Sequence, residues 1–156
     1  MTEKTTADNK PAVFITEIPV QPRDIDLNGH VHHSIYLDYF LAARFDQMDR
    51  CYKMSMEDIL KMGFTMVARK YELEYKTPLL LNDTAVVKTW VMKIGKVHVD
   101  IGFIIESKKS GVVAVRGGAR FVLIDIRIKK PVPIPLNIKE KYSVTEASRG
   151  NSKNKE

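Results

Sequence analysis

Residues 24–50 read Asp-Ile-Asp-Leu-Asn-Gly-His-Val-His-His-Ser-Ile-Tyr-Leu-Asp-Tyr-Phe-Leu-Ala-Ala-Arg-Phe-Asp-Gln-Met-Asp-Arg. The first eight alternate: Asp24, Asp26, Asn28 and His30 are interleaved with Ile25, Leu27 and Gly29. From about Val31 to Arg50 the period changes, and Ile35 to Met48 place apolar groups on most of a helical wheel. A helix apolar almost all round is normally buried. Acids, an amide and imidazoles therefore stand at the entrance to a buried helix, where backbone N–H groups lack partners.

Outward from this segment, Ala12–Gln21 reads as a strand that Pro22 ends. On the other side, Ser55-Met56-Glu57-Asp58 has capping-box spacing and Gly63 is placed as a stop, which predicts a short second helix. Four long strands follow, at Phe64–Lys76, Thr84–Ile94, Lys96–Ser107 and Val112–Ile128, with a hairpin turn at Ser107–Gly111. Gly117-Gly118 predicts a bulge or a close backbone approach. No helices separate the late strands, which disfavours a parallel α/β fold. The expected architecture is α+β: one domain over residues 12–142, with an antiparallel sheet of about five strands wrapped around a long central helix. Residues 1–11 and 143–156 are polar and read as disordered tails.

Composition narrows the function classes. With 156 residues, 44% hydrophobic and 28% charged, the chain has the profile of a globular domain with a real core. A single cysteine, Cys51, excludes an intramolecular disulfide framework and fits a reducing cytoplasm. There is no secretory signal pattern in the first ten residues and no apolar run of membrane-spanning length, so no membrane partner is expected. The net charge of +6 suits an anionic ligand, such as a phosphorylated small molecule or an acidic carrier protein. It lacks the dense patch and module of a nucleic-acid binder.

Asp24-x-Asp26-x-Asn28-Gly29-His30-Val31, followed by Tyr36-Leu37 and Ala43-Arg44, resembles the hotdog-fold acyl thioesterases, of the 4-hydroxybenzoyl-CoA thioesterase and acyl-ACP thioesterase types. The likeness extends through Tyr71–Asp83 and Ala119–Pro135, and so over roughly residues 13–140. It implies hydrolysis of an acyl-CoA or acyl-ACP thioester, with Asp26 as nucleophile or general base and Asn28 and His30 assisting. It also implies a homodimer or homotetramer with the acyl pocket at a subunit interface. No cofactor is implied beyond the CoA or phosphopantetheine that the substrate carries. Two departures stand out: His32-His33 replaces a frequent Asn-Asn, and Leu41 stands where the family often has Glu.

Thioester hydrolysis needs a base or nucleophile and a place for the oxyanion. Backbone N–H groups at Gly29 and Val31 are the expected oxyanion donors, aided by the helix dipole. His33 is a candidate pocket residue, and Lys108, Lys109, Arg116 and Arg120 are candidate phosphate contacts. Each of these cations reads equally well as part of a solvated strand face.

Competing readings remain beside this one. Asp26 or Asn28 alone could be an ordinary N-cap. Asp24 reads as an Asx-turn residue or an ion-pair partner of Arg23 or Arg44, and stays outside the catalytic set. Asp24 to Gly29 matches half of a calcium loop, but position twelve is Ile35, which offers no carboxylate. His30, His32 and His33 could suggest a transition metal, but Asp26 is the only other obvious ligand, so no metal is expected. A non-catalytic acyl-CoA or acyl-carrier binding protein and a hotdog hydratase or dehydratase are the alternatives in function.

Overall fold

The computed structural model describes residues 10–151. The chain runs through β1 (Phe14–Pro19), α1 (Ile35–Arg50), α2 (Met56–Lys61), β2 (Phe64–Tyr75), β3 (Thr84–Ile94), β4 (His98–Ser107), β5 (Val113–Asp125), β6 (Lys130–Pro131), α3 (Leu136–Tyr142) and α4 (Glu146–Asn151). The sheet order is β1-β3-β4-β5-β2, antiparallel throughout, with β6 pairing the end of β5. The α+β class and antiparallel sheet match the expectation, and the four expected long strands correspond to β2–β5.

Alternation explains how the sheet packs. Val99, Ile101, Phe103 and Ile105 of β4 all face inward and are essentially inaccessible. Their cross-strand partners on β5, Phe121, Ala119, Gly117 and Val115, share that face. Phe40 of α1 stacks on Phe103 with ring centroids 4.3 Å apart. Fully burying such a side chain stabilises by about 1.5–3 kcal/mol. Gly117 is where backbone approaches closely: a Cβ there would lie 2.3 Å from the Glu72 carbonyl oxygen. Register shifts fall between Ala68 and Lys70 of β2, between Val91 and Lys93 of β3 and between Ile105 and Glu106 of β4, not at the glycine pair.

Three expectations need correction. The helix expected from Val31 starts at Ile35, because residues 25–31 pair with one another and with the loop after β2. Its 16 residues are not buried all round: Tyr36, Tyr39, Phe40, Ala43 and Gln47 face the sheet while Phe45 is 55% exposed in this single chain. The tail expected from residue 143 is ordered over 143–151, since the Ala12 N–H donates to the Val144 carbonyl and the Val13 N–H to the Glu146 carboxylate. These are long-range bonds that local polarity does not reveal. Residues 152–156 and 1–9 lie outside the described residues.

Candidate active site

The segment between β1 and α1 is a tight turn built by Asp26. Its N–H donates to the His30 carbonyl at 2.8 Å, and its carbonyl accepts the Gly29 N–H at 3.1 Å. Its Oδ1 accepts the N–H groups of Asn28 at 2.8 Å and His30 at 3.2 Å. Gly29 adopts φ +76°, a left-handed conformation that glycine occupies without steric cost. The turn is tied down by Val31 N–H to the Leu79 carbonyl, by His32 N–H to the Asp24 carbonyl and by a bridge from His30 to Leu80.

This anchoring places Asp26 in a cleft of about 310 Å³ together with His30, His33, Tyr36, Tyr75 and Lys76. Thr77 and Pro78 close one side. Both hydrogen bonds to the Asp26 carboxylate fall on Oδ1; Oδ2 accepts none from the described residues. Tyr75 donates its hydroxyl to the His33 carbonyl at 2.9 Å. The Tyr36 hydroxyl accepts the Leu79 N–H at 3.0 Å, and its ring meets Tyr75 edge-on. Burial pushes the Tyr36 phenol above its ordinary pKa, the Leu79 N–H pulls the other way, and Tyr75 and Asp26 add smaller upward effects. The Tyr36 hydroxyl therefore stays neutral at physiological pH.

The oxyanion expectation needs revision. The Gly29 N–H is spent on the turn and the Val31 N–H on Leu79, so neither is free for a ligand. The His33 N–H, just ahead of α1, is bonded to no described residue.

The other nominated residues are divided. His33 lines the cleft, with its ring against His32 at 4.2 Å. Asn28 is exposed and its side chain makes no hydrogen bond among the described residues. Lys109 lines a neighbouring cleft that shares Thr77 and Pro78 with the first. Lys108 is held by Glu17 at 2.7 Å. Arg116 and Arg120 lie on the far face of the sheet, where Arg120 grips Asp100 through two bonds of 2.7 and 2.9 Å. Within one chain these last three do not converge on Asp26. Tyr36 and Tyr75 join the site without having been nominated. Tyr36 stands in the Tyr36-Leu37 pair of the motif itself, which is the one signal that pointed to it. Asp24 is buried against Tyr39 instead of pairing with an arginine.

Comparison with known proteins identifies the family. Residues 20–142 match the model of the thioesterase-like superfamily, and the chain belongs to that family. It is 30% identical over 112 residues to a Synechocystis protein named as an esterase, sll0410, covering 72% of this chain and 67% of that one. It is 21% identical over 126 residues to the long-chain acyl-CoA thioesterase FadM of Escherichia coli, covering 81% and 94% of the two chains. Among solved structures, the DHNA-CoA thioesterase of Staphylococcus aureus superposes with a TM-score of 0.77 at 25% identity, over 92% of this chain and 96% of that one.

Proposed function

We propose that the protein hydrolyses an acyl-CoA thioester to a carboxylic acid and a free thiol, with Asp26 as the reacting carboxylate. The observation that carries this reading is the division of labour within Asp26. Two backbone N–H groups fix Oδ1, and Oδ2 is left for chemistry in the cleft. Oδ2 either attacks the thioester carbonyl, giving an anhydride that water then cleaves, or takes a proton from water as that water attacks. In both routes the carbonyl oxygen gains charge, the C–S bond breaks, and the thiolate leaves and takes up a proton. The His33 N–H, bonded to no described residue, would meet the developing oxyanion, and His30 orients the carboxylate through its own backbone N–H.

The names of the thioesterase relatives support CoA as the thiol, with acyl carrier protein as the other candidate carrier. A homodimer or homotetramer in the cytoplasm completes the proposal, with the acyl chain running from the cleft into a subunit interface. The test is thiol release across a panel of acyl-CoA and acyl-ACP substrates. Turnover abolished in Asp26→Asn and retained in Cys51→Ser is the expected result. Tight binding without turnover across the panel would overturn the hydrolase reading in favour of a carrier-binding protein.

A further inference from the structure

At the opposite end of β2 from the cleft, hydrogen bonds bring together three segments that carry five exposed large apolar side chains. The Ile126 N–H donates to the Gly63 carbonyl at 3.0 Å, which joins the β5–β6 turn to the end of α2. Asn137 Nδ2 reaches Met62 Sδ at 3.4 Å, which brings the start of α3 to the same place. Leu60, Met62, Ile126, Ile128 and Leu136 are thereby grouped, each between 36% and 69% exposed. Clustered exposed apolar groups of this size mark a contact surface more often than chance placement does.

The same tip is cationic. Arg127, Lys129 and Lys130 are exposed and none pairs with a carboxylate among the described residues. The neighbouring acids make other bonds. Asp125 Oδ1 accepts the N–H groups of Arg127 and Ile128, and Glu57 holds Lys61 at 3.0 Å. Lys129 sits at φ +55°, at the corner of the turn between β5 and β6. Ile126 and Ile128 thus stand exposed amid three cations that pair with no carboxylate among the described residues.

We propose that this tip docks reversibly on an anionic lipid surface. The apolar groups would enter the boundary between headgroups and acyl chains, and the cations would meet the phosphates. They stand on a hairpin turn and two helix ends, and a fluid, planar partner can meet all three at once. No helix among the described residues is long and apolar enough to cross a membrane, so the contact is peripheral. It leaves the Asp26 cleft, at the other end of β2, clear of the surface.

The test is co-sedimentation of the full chain with phosphatidylglycerol-containing vesicles and with pure phosphatidylcholine vesicles. Retention on the anionic vesicles that falls with added salt is expected. Lys129→Gln and Lys130→Gln should each weaken it roughly fivefold. Ile126→Ser with Ile128→Ser should weaken it as well, and Leu136→Ser provides the same readout from a separate element if that pair fails to fold. Equal retention on both vesicle types, or retention unchanged in folded tip variants, overturns the proposal. So does a change of oligomeric mass in those variants, which would make the tip a contact between copies. A raised KM for a short, soluble acyl-CoA with vesicle binding intact would assign the cations to a nucleotide instead. Binding is read without substrate, so failure of the hydrolase reading leaves this proposal standing.

Discussion

The hydroxyl of Tyr39 donates to Asp24 Oδ2 at 2.7 Å, and that bond separates the roles of two acids only two residues apart. Asp24 is 6% exposed and accepts the Gln21 N–H with the same oxygen, whereas Asp26 opens into the cleft. Burial, followed by the bond to Asp24 and its charge, holds the Tyr39 phenol far above its ordinary value, so it remains a donor. Tyr39→Phe leaves a buried carboxylate short of a partner and should destabilise the protein by about 1–3 kcal/mol. A urea midpoint unchanged from the parent would contradict this role.

Asn28 gives a sharper test of the site. Its backbone N–H supports Asp26, but its side chain is exposed and outside the cleft lining. Asn28→Ala should therefore reduce thiol release by less than about tenfold, against the 10²–10⁴-fold typical of a reacting acid or base, expected for Asp26→Asn. Comparable losses in the two variants would restore Asn28 to the catalytic set.

Adjacent glycines in β5 should respond in opposite directions. At Gly117 a methyl would meet the Glu72 carbonyl oxygen at 2.3 Å and the Phe103 ring at 2.7 Å. At Gly118 the nearest atom, the Ile101 carbonyl oxygen, is at an ordinary 3.6 Å. Gly117→Ala should cost about 1–3 kcal/mol. Gly118→Ala should be neutral or stabilise by up to ~1 kcal/mol, because alanine has less freedom to lose. Thermal melts of the two variants compare them directly.

Arg44 is 4% exposed, lies beside the stacked rings of Tyr52 and Tyr142 with its guanidinium carbon 5.9 and 5.8 Å from their centroids, and has an Nη1 with no hydrogen-bond partner among the described residues. Burial lowers its pKa, a sign that the charge is costly there. Arg44→Met keeps the packing and removes the charge, and should fall within about 1 kcal/mol of the parent or above it. Arg44→Ala leaves a void and should lose about 2–4 kcal/mol. Denaturant titrations that place Met as far below the parent as Ala would show that the cation itself is required.

Acid stability should depend on Asp100. The bond from Arg120 holds its carboxyl below the ordinary value of 3.8, against an opposing effect of burial. A depressed folded pKa stabilises fully above the unfolded value and loses that contribution as pH falls through the folded one. Asp100→Asn should thus be less stable than the parent at neutral pH, with the gap closing well below pH 3.8. A gap constant with pH in denaturant melts would rule out this linkage.

Much of the fold was legible because its signals are local. Period-two alternation in β4, the capping box at Ser55 and the Ser107–Gly111 turn depend on neighbours within a few residues, and the structure places those elements as read. The Asp26 motif was legible for the same reason, since its turn closes on itself between residues 26 and 30. What the chain could not announce is which N–H groups remain free. Val31 loses its donor to Leu79, 48 positions away in sequence, and Tyr75 reaches the cleft from the end of a strand 42 residues beyond His33.

The sequence by itself determined that a carboxylate sits on a glycine turn ahead of a sheet-packed helix, because turn chemistry and hydrophobic period are properties of adjacent residues. Only the tertiary structure decided the rest: helix onset at Ile35, the cleft shared with Tyr36 and Tyr75, and the cationic, apolar tip assembled from α2, the β5–β6 turn and α3. Each depends on hydrogen bonds and burial between segments far apart in the chain, and those are fixed only when the sheet closes around α1.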